Sequence, residues 1–180
     1  ADKEHNGFTF EGVGSGTLVE NLAVYRGGDD AFEWFGGTVN VKYLFAYGAQ
    51  DDTFDWTFGW SGKAQFLVGV QGDGVADRGI EADNNSSNHL ASPISNPIVN
   101  KMTLIGLGDQ GTESQALKLR VGTKGTFNDL VLSNFLIGFD VQHTEGTGYV
   151  LDGTLKASNV KFDNVPTKTK GRDTEGGTVN

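Results

Sequence analysis

The residues of this chain that could do chemistry are carboxylates on a regular beat. Asp29-Asp30 and Asp51-Asp52 recur at an offset of 22, with Glu33 and Asp55 following at the same spacing and Asp77, Glu81 and Asp83 further on. If the segments carrying them stack as neighbouring strands, like charges come within about 4.8 Å of one another. Carboxylates that close need a cation, a proton or a strongly screened setting. Ca²⁺ meets that need, since it takes about six to eight oxygen ligands. The expected ligands are Asp51, Asp52, Asp55, Asp77, Glu81 and Asp83, with Asp73 adding to the local cluster. The competing account is turn chemistry, in which an aspartate side chain accepts a backbone N–H where the chain bends.

Other candidates are fewer. Trp60, in the glycine-flanked turn Phe58-Gly59-Trp60-Ser61-Gly62, reads as a surface ring for a sugar, with Asn84 and Asn85 beside it as ligand-binding residues of a polar loop. Trp34 and Trp56 alternate with acidic residues and read as inward-facing. His5, His89 and His143 are scattered, which argues against zinc. No serine sits in a nucleophile-elbow context. Gly12-Val13-Gly14-Ser15-Gly16 lacks the Lys-Ser/Thr of a phosphate loop. With no cysteine in the chain, thiolate chemistry is excluded.

The elements that must position these groups are repeats. Tyr25 to Trp34 and Tyr47 to Trp56 share Tyr, Asp-Asp, Phe and Trp at an offset of 22, and each follows an apolar run and precedes a glycine turn. Weaker copies centre on Ile80, Leu117 and Phe139, so the anchors of successive units are Phe32, Phe54, Ile80, Leu117 and Phe139. Alternation of apolar and polar residues within each unit is a half-buried strand pattern. No segment keeps a 3.6-residue apolar period between caps. Units of this length, one strand-turn-strand each, are coils of a solenoid. Two insertions leave the coils as loops, at about 83–98 and from Gly106 to Ser114, and both are expected at the edge carrying the acidic columns.

This pattern resembles the right-handed parallel β-helix of the pectate-lyase-like superfamily, over roughly residues 16–165. The resemblance implies an all-β solenoid of about six coils. It implies one domain over 1–165, with clear coils over 16–141, and a polar tail or linker over 166–180. In lyases of the superfamily, carboxylates on the outer sheet face hold Ca²⁺ and a nearby Arg or Lys removes a proton from a uronate. Arg78, beside Asp52 and Glu81 in the projected ladder, is the one residue here with a conceivable base role. The extended signatures of pectate lyases and the spaced aspartates of polygalacturonase-type hydrolases are absent.

The reading is therefore a non-catalytic module with a structural, adhesive or carbohydrate-binding role. Its alternative is a Ca²⁺-dependent polysaccharide lyase or a glycoside hydrolase. A net charge of −9 disfavours nucleic acid, and no apolar run is long enough for a membrane helix. The first five residues do not read as a signal peptide. A solenoid with open ends suggests further β-helix coils of a larger chain or end-to-end self-association, in an extracellular or cell-surface protein, expected to be bacterial. Far-UV circular dichroism checks the architecture: a helix content above about one-third, the ordinary share of a globular domain, contradicts it.

Overall fold

In the computed structural model, residues 5–72, 76–109 and 114–173 are described. Their strands, numbered in chain order, alternate between two parallel sheets. Sheet A holds β1 (Phe8–Glu11), β3 (Phe32–Phe35), β5 (Phe54–Thr57), β7 (Ile80–Ala82), β9 (Gln115–Leu119), β11 (Ile137–Gln142) and β13 (Thr167–Arg172). Sheet B holds β2 (Leu18–Tyr25), β4 (Asn40–Tyr47), β6 (Lys63–Val70), β8 (Ile98–Ile105), β10 (Gly125–Ser133) and β12 (Leu155–Asp163). Each coil contributes one strand to each sheet, and the chain climbs one strand spacing per turn. This is a parallel β-helix.

The register follows the sequence repeat. Phe32 pairs with Phe54, Phe54 with Ile80, Ile80 with Leu117, and Leu117 with Phe139. Equal side chains therefore fall into inward columns. Phe8, Phe32 and Phe54 stack with centroids 5.5 and 5.7 Å apart, and Phe10 lies 5.6 Å from Trp34. Against this aromatic wall sheet B sets an aliphatic one, in which Leu22, Leu44, Leu67, Met102 and Leu130 share a column.

Two features depart from the sequence reading. Residues 166–180 were expected to leave the solenoid, yet Thr167–Arg172 forms β13 and pairs with β11. Its polar side chains hid the strand, because it pairs with β11 through the backbone and carries no apolar alternation. The connection from β11 to β12 is a ten-residue helix, α1 (His143–Asp152), with Gly153 in the left-handed region at its C-terminus.

Sheet B also bends at one place in every coil. Asn21, Tyr43, Phe66, Lys101, Asp129 and Asn159 have φ between 53° and 61°, and each is skipped in the strand pairing. This left-handed conformation is disfavoured for residues other than Gly, Asn and Asp. Stacking within the column offsets the strain at the other three. The Tyr43 and Phe66 rings lie 5.0 Å apart at 7°, and Lys101 sits over Phe66.

Trp60 is a correction. Rather than facing solvent, its side chain is completely buried at the corner between β5 and β6. It stacks on Trp34 at 4.5 Å, and its Nε1 donates to the Val39 carbonyl at 3.2 Å. The flanking glycines let the turn fold back over the core instead of presenting the ring. Replacing Trp60 by Ala opens a cavity and leaves the Val39 carbonyl unpaired. Urea denaturation is expected to show a loss of about 3–5 kcal/mol, whereas a surface ring would cost a small fraction of that.

Candidate functional site

The outer face of sheet A and the turns that enter it carry the charged groups. One outward column runs Glu33, Asp55, Glu81, Lys118, Asp140 in pairing register, as the repeat requires. The turns before β3, β5 and β7 bring Asp29, Asp30, Asp51, Asp52 and Asp77 together. Within each of three groups, carboxylate oxygens lie within 4.8 Å of one another. The groups are Asp29, Asp30 and Asp51; Asp51, Asp52 and Asp77; and Asp30, Glu33 and Asp55.

Turn chemistry explains part of this arrangement. The Asp52 N–H donates to Asp30 Oδ1 at 2.9 Å, and the Arg78 N–H donates to Asp52 Oδ1 at 2.7 Å. Each buried aspartate thus satisfies a backbone donor one coil above it. Asp30 and Asp52 are 6% and 4% exposed, so water solvates them poorly.

The electrostatics follow from that burial. Desolvation pushes Asp30 up to about 7, helped by Glu33, Asp51 and Asp29 and opposed by its backbone hydrogen bond. Asp52 is driven well above the usual carboxylate range, first by burial and then by Glu81, Asp51 and Asp30. Asp55 behaves alike, with burial again the main cause and the neighbouring carboxylates adding to it. Glu33 is also raised by burial, and hydrogen bonds with Asn6 and Asp55 pull it partly back.

The six expected cation ligands are divided among three environments. Asp51, Asp52 and Asp77 share a group, and Asp55 joins Asp30 and Glu33 instead. Glu81 accepts from Lys118 Nζ at 3.1 Å and pairs with Arg120, and Asp83 accepts from Arg120 Nε at 2.7 Å. Burial raises Asp83, and Arg120 holds it down against that. Glu81 and Asp83 are thus matched by protein cations, which corrects their assignment to a common site with Asp51. Asp73 lies outside the described residues. Arg78, the conceivable base, pairs with Asp77, and its Nε lies 4.0 Å from Glu81.

The two loop asparagines differ in what they do. Asn84 is fully buried, and its Nδ2 donates to the carbonyls of His89 and Ala91 at 2.9 and 3.0 Å. Its Oδ1 accepts the Ser95 N–H at 2.8 Å, so this side chain ties the insertion together. Asn85 closes a turn by accepting the N–H groups of Ser87 and Asn88. Asn84 thus has no amide to present to a ligand, which corrects its assignment, while Asn85 is half-buried with its Oδ1 engaged in the turn. The insertion also leaves sheet A after β7, opposite the edge where the acidic turns enter. Residues 106–109, where the second excursion begins, lie on the acidic edge, with Leu107 N–H on Gln71 Oε1. The insertion packs back on the coils, where a Cβ at Gly59 or Gly122 would collide with the carbonyl of Pro93 or His89.

Folding assembles two clusters that the sequence hid. His89 and His143, far apart in the chain, have ring centroids 4.7 Å apart, and His89 Nδ1 lies 3.4 Å from Glu145 Oε2. Val121 N–H donates to His143 Nδ1 at 3.1 Å, which places that ring's proton on Nε2 and opposes metal ligation there. Asp140, fully buried, receives Arg172 Nε and Nη2 at 3.0 and 3.1 Å together with the amides of Gln115 and Gln142. Arg120 could have been found by extending the repeat two residues beyond Lys118. Arg172 could not, because no repeat signal reaches β13.

The raised carboxyls fix a pH dependence. A group at 3.8 unfolded and about 7 folded binds its proton more tightly in the native state. Its stabilising contribution is complete below pH 3.8 and is lost as pH rises through 7. Glu145 and Asp152, held down chiefly by hydrogen bonds, act oppositely and only in more acid solution. In chelator, the melting temperature is expected to fall across the window from pH 4 to 7. Asp52→Asn keeps the acceptor for the Arg78 N–H and removes a carboxyl whose ionisation burial and its acidic neighbours oppose. It is expected to raise the melting temperature at pH 7, by about 2–4 °C for each kcal/mol in a chain of this size. A lowered melting temperature would mean that the Asp52 charge is needed by the fold.

No curated protein and no solved structure is significantly similar to this chain. A family does match, described as the pectate-lyase like beta helix domain, and it does so over residues 1–180. The register of the coils and the length of that match lead to one statement: the chain belongs to the pectate-lyase-like β-helix family.

Proposed function

We propose that this chain is a non-catalytic β-helix module of a secreted or cell-surface protein that binds acidic glycans through a divalent cation, in a structural or adhesive role. The carrying observation is that carboxylates from three successive turns converge, with Asp51 common to two groups whose oxygens lie within 4.8 Å of one another. One Ca²⁺ at ligand distances of about 2.3–2.6 Å spans such a group, and hard carboxylate oxygens suit it better than a softer metal. Asp30 and Asp52 each keep Oδ2 beyond the oxygen that accepts a backbone N–H.

The cation also gives a glycan a means of approach. A chain of net charge −9 repels a polyuronate until a bridging ion intervenes. An ion held from one side keeps coordination positions for substrate carboxylates on the other. With Trp60 buried, recognition on this reading rests on ion bridging and not on ring stacking. Extracellular Ca²⁺ sites commonly work at about 10⁻⁴–10⁻³ M, which fits a cation site at the edge of a bacterial surface protein.

Arg78 supports the binding reading over a lyase. Its guanidinium pairs with Asp77 beside Glu81, and a guanidinium held by carboxylates is a poor base. Three measurements on the intact chain test the proposal. Millimolar Ca²⁺ is expected to raise the melting temperature above its value in chelator. An acidic polysaccharide is expected to retain the chain only with Ca²⁺, and the ultraviolet absorbance of an unsaturated product is expected to stay flat. An identical melting curve with and without Ca²⁺ removes the site. Turnover that disappears in Arg78→Ala establishes the lyase instead.

A further inference from the structure

The outer face of sheet B is the electrostatic opposite of the acidic turns. Strands β4, β6 and β8, in the middle of the sheet, contain three lysines, Lys42, Lys63 and Lys101, and no carboxylate. That is notable in a chain with 23 acidic against 14 basic side chains. All three lysines are exposed. Lys42 Nζ lies 3.7 Å from a Glu20 oxygen, and Lys101 sits over the Phe66 ring. The rest of this face is largely apolar: Tyr43, Phe45, Val68 and Ile105 are 49%, 43%, 37% and 40% exposed.

The acidic turns lie on another side of the solenoid. Asp29, Asp51 and Asp77 come one from each of the turns that lead from β2, β4 and β6 into sheet A. Asp51 is exposed, and Asp29 and Asp77 are half-buried, with Arg78 paired to Asp77. Lys42 and Lys63 precede the bends of their strands at Tyr43 and Phe66, and Lys101 lies at its own bend, whereas the acidic turns follow the strand ends. One copy therefore cannot bring its lysines onto its own turns. Two copies can. Both sets of charges climb one strand spacing per coil, about 4.8 Å, so a ladder of three cations and a ladder of three anions match in pitch.

We propose that copies of this chain associate side by side, the lysine-bearing outer face of sheet B on one copy docking against the Asp29, Asp51 and Asp77 turns of the next. Charge complementarity selects this pairing, because like faces set lysine against lysine or carboxylate against carboxylate. Apolar side chains among the lysines favour a protein surface over a free polyanion, since covering them adds burial to the charge pairing. The contact joins two different surfaces, so each copy keeps one face open for another and the array grows sideways. Lysine ammonium groups do here what an added cation would do, so the contact stands whether or not Ca²⁺ binds the turns.

Sedimentation velocity of the 180-residue chain in chelator, from micromolar to millimolar concentration, tests this independently of the Ca²⁺ site. At about 0.01 M salt, where the Debye length is about 30 Å, the average mass is expected to rise with concentration. At about 1 M salt, where it is about 3 Å, the mass is expected to stay at that of one chain. Lys63→Glu with Lys101→Glu is expected to remain a single chain at low salt with an unchanged far-UV spectrum, and so is Asp29→Lys with Asp51→Lys. An equimolar mixture of the two variants is expected to associate again, because each supplies the face that the other lacks. If either double variant loses its spectrum, Lys63→Glu alone and Asp51→Lys alone replace them with the same expected pattern. A wild-type chain that stays single at every concentration in low salt overturns the proposal, and so does a variant that associates as the wild type does. A single chain that an acidic polysaccharide retains in chelator, and that Lys63→Glu with Lys101→Glu releases, overturns it by giving the face to a glycan.

Discussion

The parallel backbone ladder is the constraint on which the rest of this structure depends. It repeats each coil one strand spacing, about 4.8 Å, above the last, and it fixes every side chain opposite its counterpart in the next coil. Inside the solenoid that constraint is favourable. Rings stack on rings, and the columns through Phe32 and Trp34 exclude water without any exchange of partners from coil to coil. Outside, the same ladder forces carboxylates into columns that their charges oppose. The acidic face is a consequence of repetition.

Three devices relieve that repulsion, and they change along the axis. In the early coils, Asp30 and Asp52 each accept a backbone N–H. In the middle, Glu81 and Asp83 are met by Lys118 and Arg120 from the next coil. At the end, Asp140 is enclosed by Arg172 and two glutamine amides. Protein cations thus answer the later carboxylates, and in the early turns Arg78 pairs with Asp77.

The bend shared by all sheet B strands shows repetition acting on the backbone itself. A left-handed residue is costly in isolation, but in a ladder its neighbours adopt the same conformation and their side chains stack. The Tyr43–Phe66 pair follows from this. Rings stacked face to face along the axis turn their edges, and not their faces, to solvent.

What the sequence determined by itself was everything that repeats. Tyr25–Trp34 set over Tyr47–Trp56 gives the coil length, the inward aromatic column and the outward column from Glu33 to Asp140, because a ladder converts equal spacing in sequence into adjacency in space. What only the tertiary structure decided lies where repetition lapses. Trp60 and Asn84 sit in irregular turns, and whether such a turn faces water or folds onto the core depends on Trp34, Val39 and Ser95, which no local pattern names. His89 meets His143 and Glu145 because an insertion and a helix emerge on the same edge. Strand β13 was invisible for a related reason: its polar residues pair through the backbone, and backbone hydrogen bonds carry no signature in side-chain type.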